Sequence, residues 1–285
     1  CHARGVVVRN WCKDPSNFRC EETLDNFLKN QGVVGICGVD TRELTQIIRE
    51  TGVMNAMITQ TLPEAVPDAV KSYTVTGVVP ETSTKSPYIV APKNEAIHSV
   101  ALIDYGAKRN IIRELQELGC KVTVFPHNTK ASEILAMKPD GVMLSNGAGD
   151  PAENTECIEE IKQLLGKVPI FGICLGHQLL ALAAGAKTEK LRYGHRGGNQ
   201  PVKNLENGRV YITSQNHSYA VVSESLDSSI AKLSYVNLND NTCEGLDYPT
   251  LNAFSLQFHP EAHCGPRDMR FAFRKFLELM NGGKI

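Results

Sequence analysis

The run Val168-Pro169-Ile170-Phe171-Gly172-Ile173-Cys174-Leu175-Gly176-His177-Gln178-Leu179-Leu180-Ala181-Leu182 reads as a strand joined directly to a helix. Its first half is short, apolar and stiffened by Val and Ile, as in a buried strand; its second half carries Leu and Ala at helical spacing. Cys174 therefore falls at the turn between them. Gly172 and Gly176 leave room for a sharp reversal, and the first N–H groups of the new helix, lacking partners within it, point back toward the sulfur. The partial positive charge of a helix start favours the thiolate, the form that attacks carbonyl carbon. A buried structural cysteine is the plain alternative, since free Cys is among the most buried residue types. Two glycines flanking a strand-helix junction favour the nucleophile, in the manner of the serine elbow of hydrolases.

Upstream of this run the chain alternates strand and helix from His98 onward. Strand Val100–Asp104 precedes helix Lys108–Leu118, strand Lys121–Phe125 precedes helix Ser132–Met137, and strand Gly141–Leu144 precedes a helix around Cys157–Leu165. Such repetition predicts an α/β domain with a mostly parallel sheet flanked by helices and active groups at the carboxyl ends of the strands. Beyond Gly185 the pattern is strand-rich, with runs at Arg209–Thr213, Ala220–Val222 and Ala253–Phe258, and a last helix spans about Arg267–Met280. Before residue 98 lies a smaller α+β domain: a strand at Gly5–Arg9, a helix at Glu21–Gln31, an extended run at Val33–Val39, a helix opened by Asp40 and ended by Gly52, and a strand at Met54–Thr61. Thr74–Asn94, with Pro80, Pro87 and Pro92, reads as a connection. The expected division is residues 1–92, small domain and linker, and 98–285. The chain opens on Cys1 and enters a strand-like run almost at once, so the small domain is expected to be truncated at its N-terminus.

Composition narrows the class. Thirty basic and thirty-one acidic residues give a formal net charge of −1, so neither nucleic acid nor an anionic membrane is an electrostatic partner. No apolar run approaches the roughly 20 residues of a bilayer span. The nine cysteines include no C-x-x-C pair, which speaks against a disulfide framework or structural zinc site and for reduced thiols in a cytoplasmic protein.

A cysteine nucleophile needs a base and a group to orient that base. His259-Pro260-Glu261 follows the Ala253–Phe258 strand at its carboxyl end, where Cys174 also lies, so a Cys174-His259-Glu261 triad is expected. The small residues of Ser145-Asn146-Gly147-Ala148-Gly149-Asp150-Pro151 suit a backbone oxyanion hole but match neither a Walker A nor a dinucleotide loop. His259 and His263 have the four-residue spacing of helical zinc ligands, but Pro260 opposes a regular helix and Glu261 is out of place for a zinc-protease base; no metal is expected. Asn216-His217-Ser218 and Gly194–Asn199 read as polar loops.

Gly172–Gln178 together with His259-Pro260-Glu261 is similar to the signature of class I glutamine amidotransferases. Gly38–Thr45, Asp104–Ile111 and Tyr193–Val202 resemble, within that class, the small subunits of carbamoyl-phosphate synthetases, and the resemblance covers nearly the whole chain. It implies that Cys174 attacks the glutamine amide to give a glutamyl thioester, that His259 protonates ammonia and then activates water, and that Glu261 orients His259. It further implies an oxyanion hole at the N–H groups of Leu175 and Gly147, and glutamine binding by Gln178, Gly149, Asn216, Ser218 and Tyr219, with His217 toward the domain interface. It implies no cofactor in this chain. The partner would be the large synthetase subunit, which holds ATP and Mg and joins the ammonia to bicarbonate, making carbamoyl phosphate for pyrimidine and arginine synthesis. Ala148 stands where the family commonly has Pro, and a glutamine-contacting serine of the family falls before Cys1. Two other readings stay open: a non-catalytic scaffold or regulatory subunit retaining the fold, and a triad hydrolase acting in another pathway.

Overall fold

The computed structural model describes residues 1–262 and 265–284; His263 thus lies outside the described residues. Two compact units divide between Thr74 and Val75. The first contains β1 (Gly5–Val7), α1 (Leu24–Asn30), β2 (Val34–Ile36), α2 (Thr41–Thr51) and the short α3 (Asp68–Lys71). β1 and β2 pair in parallel, Gly5 opposite Val34. The Asp40 carboxylate accepts from the N–H groups of Arg42 and Glu43 at 3.0 and 3.1 Å, so α2 starts at the acidic cap its sequence offers. Met54–Thr61, expected as a strand, has no ladder partner among the described residues. Its Ile58 lies over Gly5 instead, with Cδ1 2.8 Å from where a Cβ on Gly5 would stand.

The second unit begins earlier than the sequence suggests. The stretch read as a connection forms α4 (Val78–Thr82) and β3 (Tyr88–Val90). Its prolines are compatible with both: Pro80 sits in a first helical turn, where an N–H has no partner to lose, and Pro87 precedes an edge strand. There follow β4 (His98–Asp104), α5 (Arg109–Glu117), β5 (Cys120–Pro126), α6 (Ala131–Ala136), β6 (Gly141–Leu144), α7 (Thr155–Leu164), β7 (Ile170–Ile173) and α8 (Leu175–Ala183). The strand-rich half supplies β8 (Thr188–Asn204), β9 (Val210–Val221), β10 (Lys232–Asn237), β11 (Cys243–Tyr248) and β12 (Ala253–Leu256), and α9 (Phe271–Met280) closes the unit.

All ten strands from β3 to β12 join one sheet in the order β3-β5-β4-β6-β7-β12-β11-β10-β8-β9. The centre, β5 through β12 in that order, is parallel; β3 at one edge and β11, β10, β8 and β9 at the other are antiparallel. Central strands buried on both faces need apolar residues throughout, which is why Val100–Ile103 and Ile170–Ile173 read as unbroken apolar runs. One face packs α7 and α8 through Ile161, Leu164, Leu179 and Leu180. The other packs α5 and α9 through Ile111, Leu115, Phe273 and Phe276. Phe171 of β7 stacks on Phe254 of β12 at 4.3 Å and meets Phe273 edge-on. No helix among the described residues is long and apolar enough to cross a membrane.

Candidate active site

Cys174 is the single residue between β7 and α8, with φ 53° and ψ −103°, a backbone state that costs an L-residue on the order of 1–3 kcal/mol. The surroundings enforce it. Its N–H donates to the Leu256 carbonyl of β12 at 2.8 Å, its carbonyl accepts from the Gln178 N–H, and the Gly176 N–H donates to the Ser145 carbonyl after β6. Gly176 is pressed so closely on β6 that a Cβ there would stand 2.3 Å from the Leu144 carbonyl oxygen. The turn is thus clamped between the two strands flanking β7.

His259 lies just beyond β12, buried, its N–H donating to the Ser214 carbonyl at 2.9 Å. Its Nδ1 meets Glu261 Oε1 at 2.7 Å, a contact that orients the ring and leaves Nε2 for other work. Burial disfavours the imidazolium of His259. The Glu261 carboxylate, the Cys174 sulfur and hydrogen bonds to both outweigh it, raising the ring from its ordinary value to about 9. Glu261 is buried too, which pushes its carboxyl up, yet His259 and Lys108 hold it below the usual carboxylate range. The structure therefore brings the three expected residues together in a buried group in which His259 and Glu261 form an ion pair.

The loop Ser145–Pro151 sits beside this group. A Cβ on Gly147 would stand 2.4 Å from the Tyr105 carbonyl oxygen and 2.5 Å from Leu175 Cδ2, so the loop backbone passes directly over the start of α8. The Gly147 N–H has no acceptor among the described residues, and the Leu175 N–H, first in its helix, has none within it. Both are free for an oxyanion. Gln178 Nε2 donates to the Tyr219 carbonyl at 2.7 Å and to Gln257 Oε1 at 2.8 Å, and burial, with the charge of Asp150 next to Gly149, raises the Tyr219 hydroxyl from its ordinary value. These contacts gather Gln178, Tyr219 and Gly149 around the loop. Ser218 Oγ accepts from Arg196 Nη2 at 2.7 Å, and the exposed Asn216 lies opposite Arg196 in the β8–β9 ladder; neither bonds to another of the expected site residues.

Asn216-His217-Ser218 and Gly194–Asn199 are strand, not loop: they face each other across β8 and β9, His195 opposite His217. Their glycines and polar side chains hide the alternation that would have marked them. His217 makes its polar contacts within this unit, its Nδ1 donating to the Tyr219 carbonyl at 2.8 Å. Sequence reading missed Lys108, whose Nζ lies 3.3 Å from Glu261 Oε1, and Gln257. Lys108 stands in the Asp104–Ile111 motif, the one signal that could have found it. A cavity of about 560 Å³ bounded by Asn204, Tyr211, Tyr235, Phe271 and Lys275 holds none of these residues.

The glutamine amidotransferase class-I family model matches residues 101–279, and the model for the carbamoyl-phosphate synthase small chain, CPSase domain, matches residues 1–58. The chain is 50% identical to the carbamoyl phosphate synthase small chain of Oceanobacillus iheyensis, over 99% of this chain and 77% of that one. It is 48% identical to the protein of the same description from Fusobacterium nucleatum, over 96% and 77%. Among solved structures, a putative GMP synthase protein of Thermoplasma acidophilum superposes with a TM-score of 0.57 at 23% identity, over 66% of this chain and 96% of that one. A glutamine amidotransferase of Thermotoga maritima gives 0.51 at 18% identity, over 64% and 97%. At those identities the two structures speak for the fold.

Proposed function

This chain belongs to the carbamoyl phosphate synthase small chain family, with its class-I glutamine amidotransferase domain, and on that premise we propose that it is a glutaminase subunit working through Cys174, His259 and Glu261. The observation that carries the reading is the 2.7 Å His259–Glu261 pair set against the sulfur of a cysteine in a strained strand-to-helix turn. The Cys174 thiolate attacks the side-chain amide carbon of glutamine. The negative oxygen of the tetrahedral intermediate takes the N–H groups of Leu175 and Gly147. His259, held as imidazolium, gives its proton to the departing nitrogen; ammonia leaves and a glutamyl thioester remains. The neutral ring then takes a proton from water, whose oxygen attacks the thioester, and glutamate and the thiolate are released. Glu261 stays ionised and fixes the ring orientation. Gln178, Gly149, Asn216, Ser218 and Tyr219 surround the substrate.

The ammonia passes to a large synthetase subunit that joins it to bicarbonate with ATP and Mg, forming carbamoyl phosphate for pyrimidine and arginine synthesis. The "small chain" description of the relatives supports such a partner. A reducing, cytoplasmic setting fits the eight described cysteines, all free thiols. The test is glutamate release from glutamine, with and without a large subunit, and trapping of the thioester by acid quench. Absence of both products with a functional large subunit present would end this reading.

A further inference from the structure

Away from the triad, β8, β9 and β11 bring His195, His217 and Glu244 together inside the sheet's antiparallel half, all buried. One ligand atom from each lies within 4.8 Å of the other two. His217 Nδ1 is 2.8 Å from the Tyr219 carbonyl oxygen, which only accepts, so Nδ1 carries the proton and Nε2 of the neutral ring keeps a lone pair. His195 Nε2 is 2.7 Å from Asp240 Oδ2, so Nδ1 presents a lone pair only in the neutral ring. Burial opposes the imidazolium, but Glu244 and Asp240 outweigh it and raise the ring to about 9, and an ion must displace that proton. These two lone pairs face each other at 3.2 Å, with Glu244 Oε1 3.3 Å from His195 Nδ1 and Gln215 Oε1 3.1 Å from His217 Nε2. With both rings neutral, acceptors crowd on one another. Asn237 Nδ2 donates to Glu244 Oε1 at 3.2 Å, while Glu244 Oε2, on a fully buried residue, has no partner among the described residues.

We propose that His195, His217 and Glu244 bind a divalent transition-metal ion of the zinc class, which ties β8 and β9 to β11. At metal-ligand bonds of about 2.0–2.2 Å, tetrahedral ligand atoms stand roughly 3.3–3.6 Å apart, close to the 3.2 and 3.3 Å edges here; the third edge, within 4.8 Å, closes when the ion binds. Two imidazoles with a carboxylate select such an ion over Mg or Ca, which prefer all-oxygen sites. The outer contacts are those of ligating histidines, each giving its second N–H to a carboxylate or a carbonyl. Gln215 Oε1 or a water would complete four-coordination. This departs from the expectation of no metal, which considered only His259 and His263. The site is independent of the glutaminase reading, and its consequence is local. The β8–β9 ladder shifts register on both sides of His195, so an ion there pins the irregular part of the hairpin from which Asn216, Ser218 and Tyr219 project.

The rival occupant is a proton on His195 Nδ1, which bridges to His217 or Glu244 and leaves Glu244 Oε2 bare. To decide between them, the tag-free full chain carrying Cys174→Ser, stripped by chelator dialysis, is titrated with Co²⁺ and, in competition with an indicator dye, with Zn²⁺. Binding at the proposed site gives visible d–d bands of four-coordinate cobalt without a thiolate charge-transfer band, which separates it from adventitious binding at exposed cysteines. Glu244→Gln should abolish those bands. Asp240→Asn, on a partly exposed turn and so able to fold, should weaken the affinity about 10–100-fold. No d–d bands in the parent, or an unchanged affinity in Asp240→Asn, overturns the metal and assigns the gap to the proton.

Discussion

Replacing Gly176 by Ala sets two effects against each other. In a helix exposed to water alanine is better than glycine by up to about 1 kcal/mol, and Gly176 lies in the first turn of α8. Within the fold, the added methyl carbon would stand 2.3 Å from the Leu144 carbonyl oxygen, 2.7 Å from its carbonyl carbon and 2.8 Å from its Cβ. Ordinary contact starts at 3.4 Å, so the start of α8 must retreat from β6 by roughly 1 Å, the scale on which a close-packed interior yields only under strain. Neither obstacle can swing aside, since one is backbone and the other belongs to a fully buried leucine. Overpacking costs about 1–3 kcal/mol against a helical gain of at most about 1 kcal/mol, and the net lowers Tm by up to about 8 °C for a unit of this size. The same retreat carries the Cys174 sulfur away from His259 and the Leu175 N–H away from its place at the start of α8. A misplacement of about 1 Å costs on the order of 100-fold in rate. Calorimetry and steady-state glutamate release at saturating glutamine measure the two consequences. A Gly176→Ala protein with the parent's Tm and kcat would refute the claim that the nucleophile turn is held by pressure of α8 on β6.

Cys174→Ser should abolish glutamine-dependent synthesis by the complex while ammonia-dependent synthesis persists; glutaminase turnover at the parent's rate would exclude Cys174 as nucleophile. Glu261→Gln removes the leading support for the His259 imidazolium, so the ring's NMR titration midpoint should fall from about 9 toward or below its ordinary 6.5. Because the His259 value is raised, the pair stabilises the fold most in mildly acidic solution and loses that contribution as pH rises through about 9. Urea melts of Glu261→Gln should therefore show a deficit that shrinks over that range, and an unchanged midpoint would make Glu261 a bystander. Phe171→Ala, which removes a fully buried ring stacked at 4.3 Å on Phe254, should cost about 3–5 kcal/mol; under about 1 kcal/mol would mean that the central aromatic cluster is not packed as described.

The parallel centre was readable because its strands are buried on both faces and so must be written in apolar residues, Val100–Ile103 and Ile170–Ile173 among them. Asp40 and Gly52 marked α2 for an equally local reason, one supplying acceptors and the other a φ of 98°. β8 was illegible. Its seventeen residues contain Gly194, Gly197 and Gly198 and break register twice against β9, so no run of alternation survives; pairing with β9 and β10 makes it a strand. Met54–Thr61 failed in the opposite sense, having strand propensity but no ladder partner among the described residues. In the site, Cys174 and the His259–Glu261 pair lie at element ends that the sequence marks. Lys108 meets Glu261 across a separation that only the tertiary fold closes, as His195 meets Glu244.

The parts of the site differ in what holds them. Cys174 is bonded through its backbone to β12 and, by way of Gly176, to the end of β6, and His259 is tied through its N–H to Ser214; all of these anchors are in or beside the buried sheet. The Ser145–Pro151 loop is anchored at its two ends: Ser145 Oγ accepts from the Tyr105 N–H at 2.9 Å and Asn146 Oδ1 from the Lys108 N–H at 2.9 Å, while Asp150 accepts from the Ala152 N–H at 2.9 Å and from Asn154 Nδ2 at 3.0 Å. Between those ends Gly147 and Gly149 are partly exposed and Ala148 exposed, and alanine does not fix φ as proline would. Displacing the triad would require repacking the sheet core, whereas shifting Gly147 requires only a change in loop dihedrals. On the proposed mechanism, a partner that raises turnover acts on Gly147 as oxyanion donor, and the expected outcome is a higher kcat with the His259 titration left where it was.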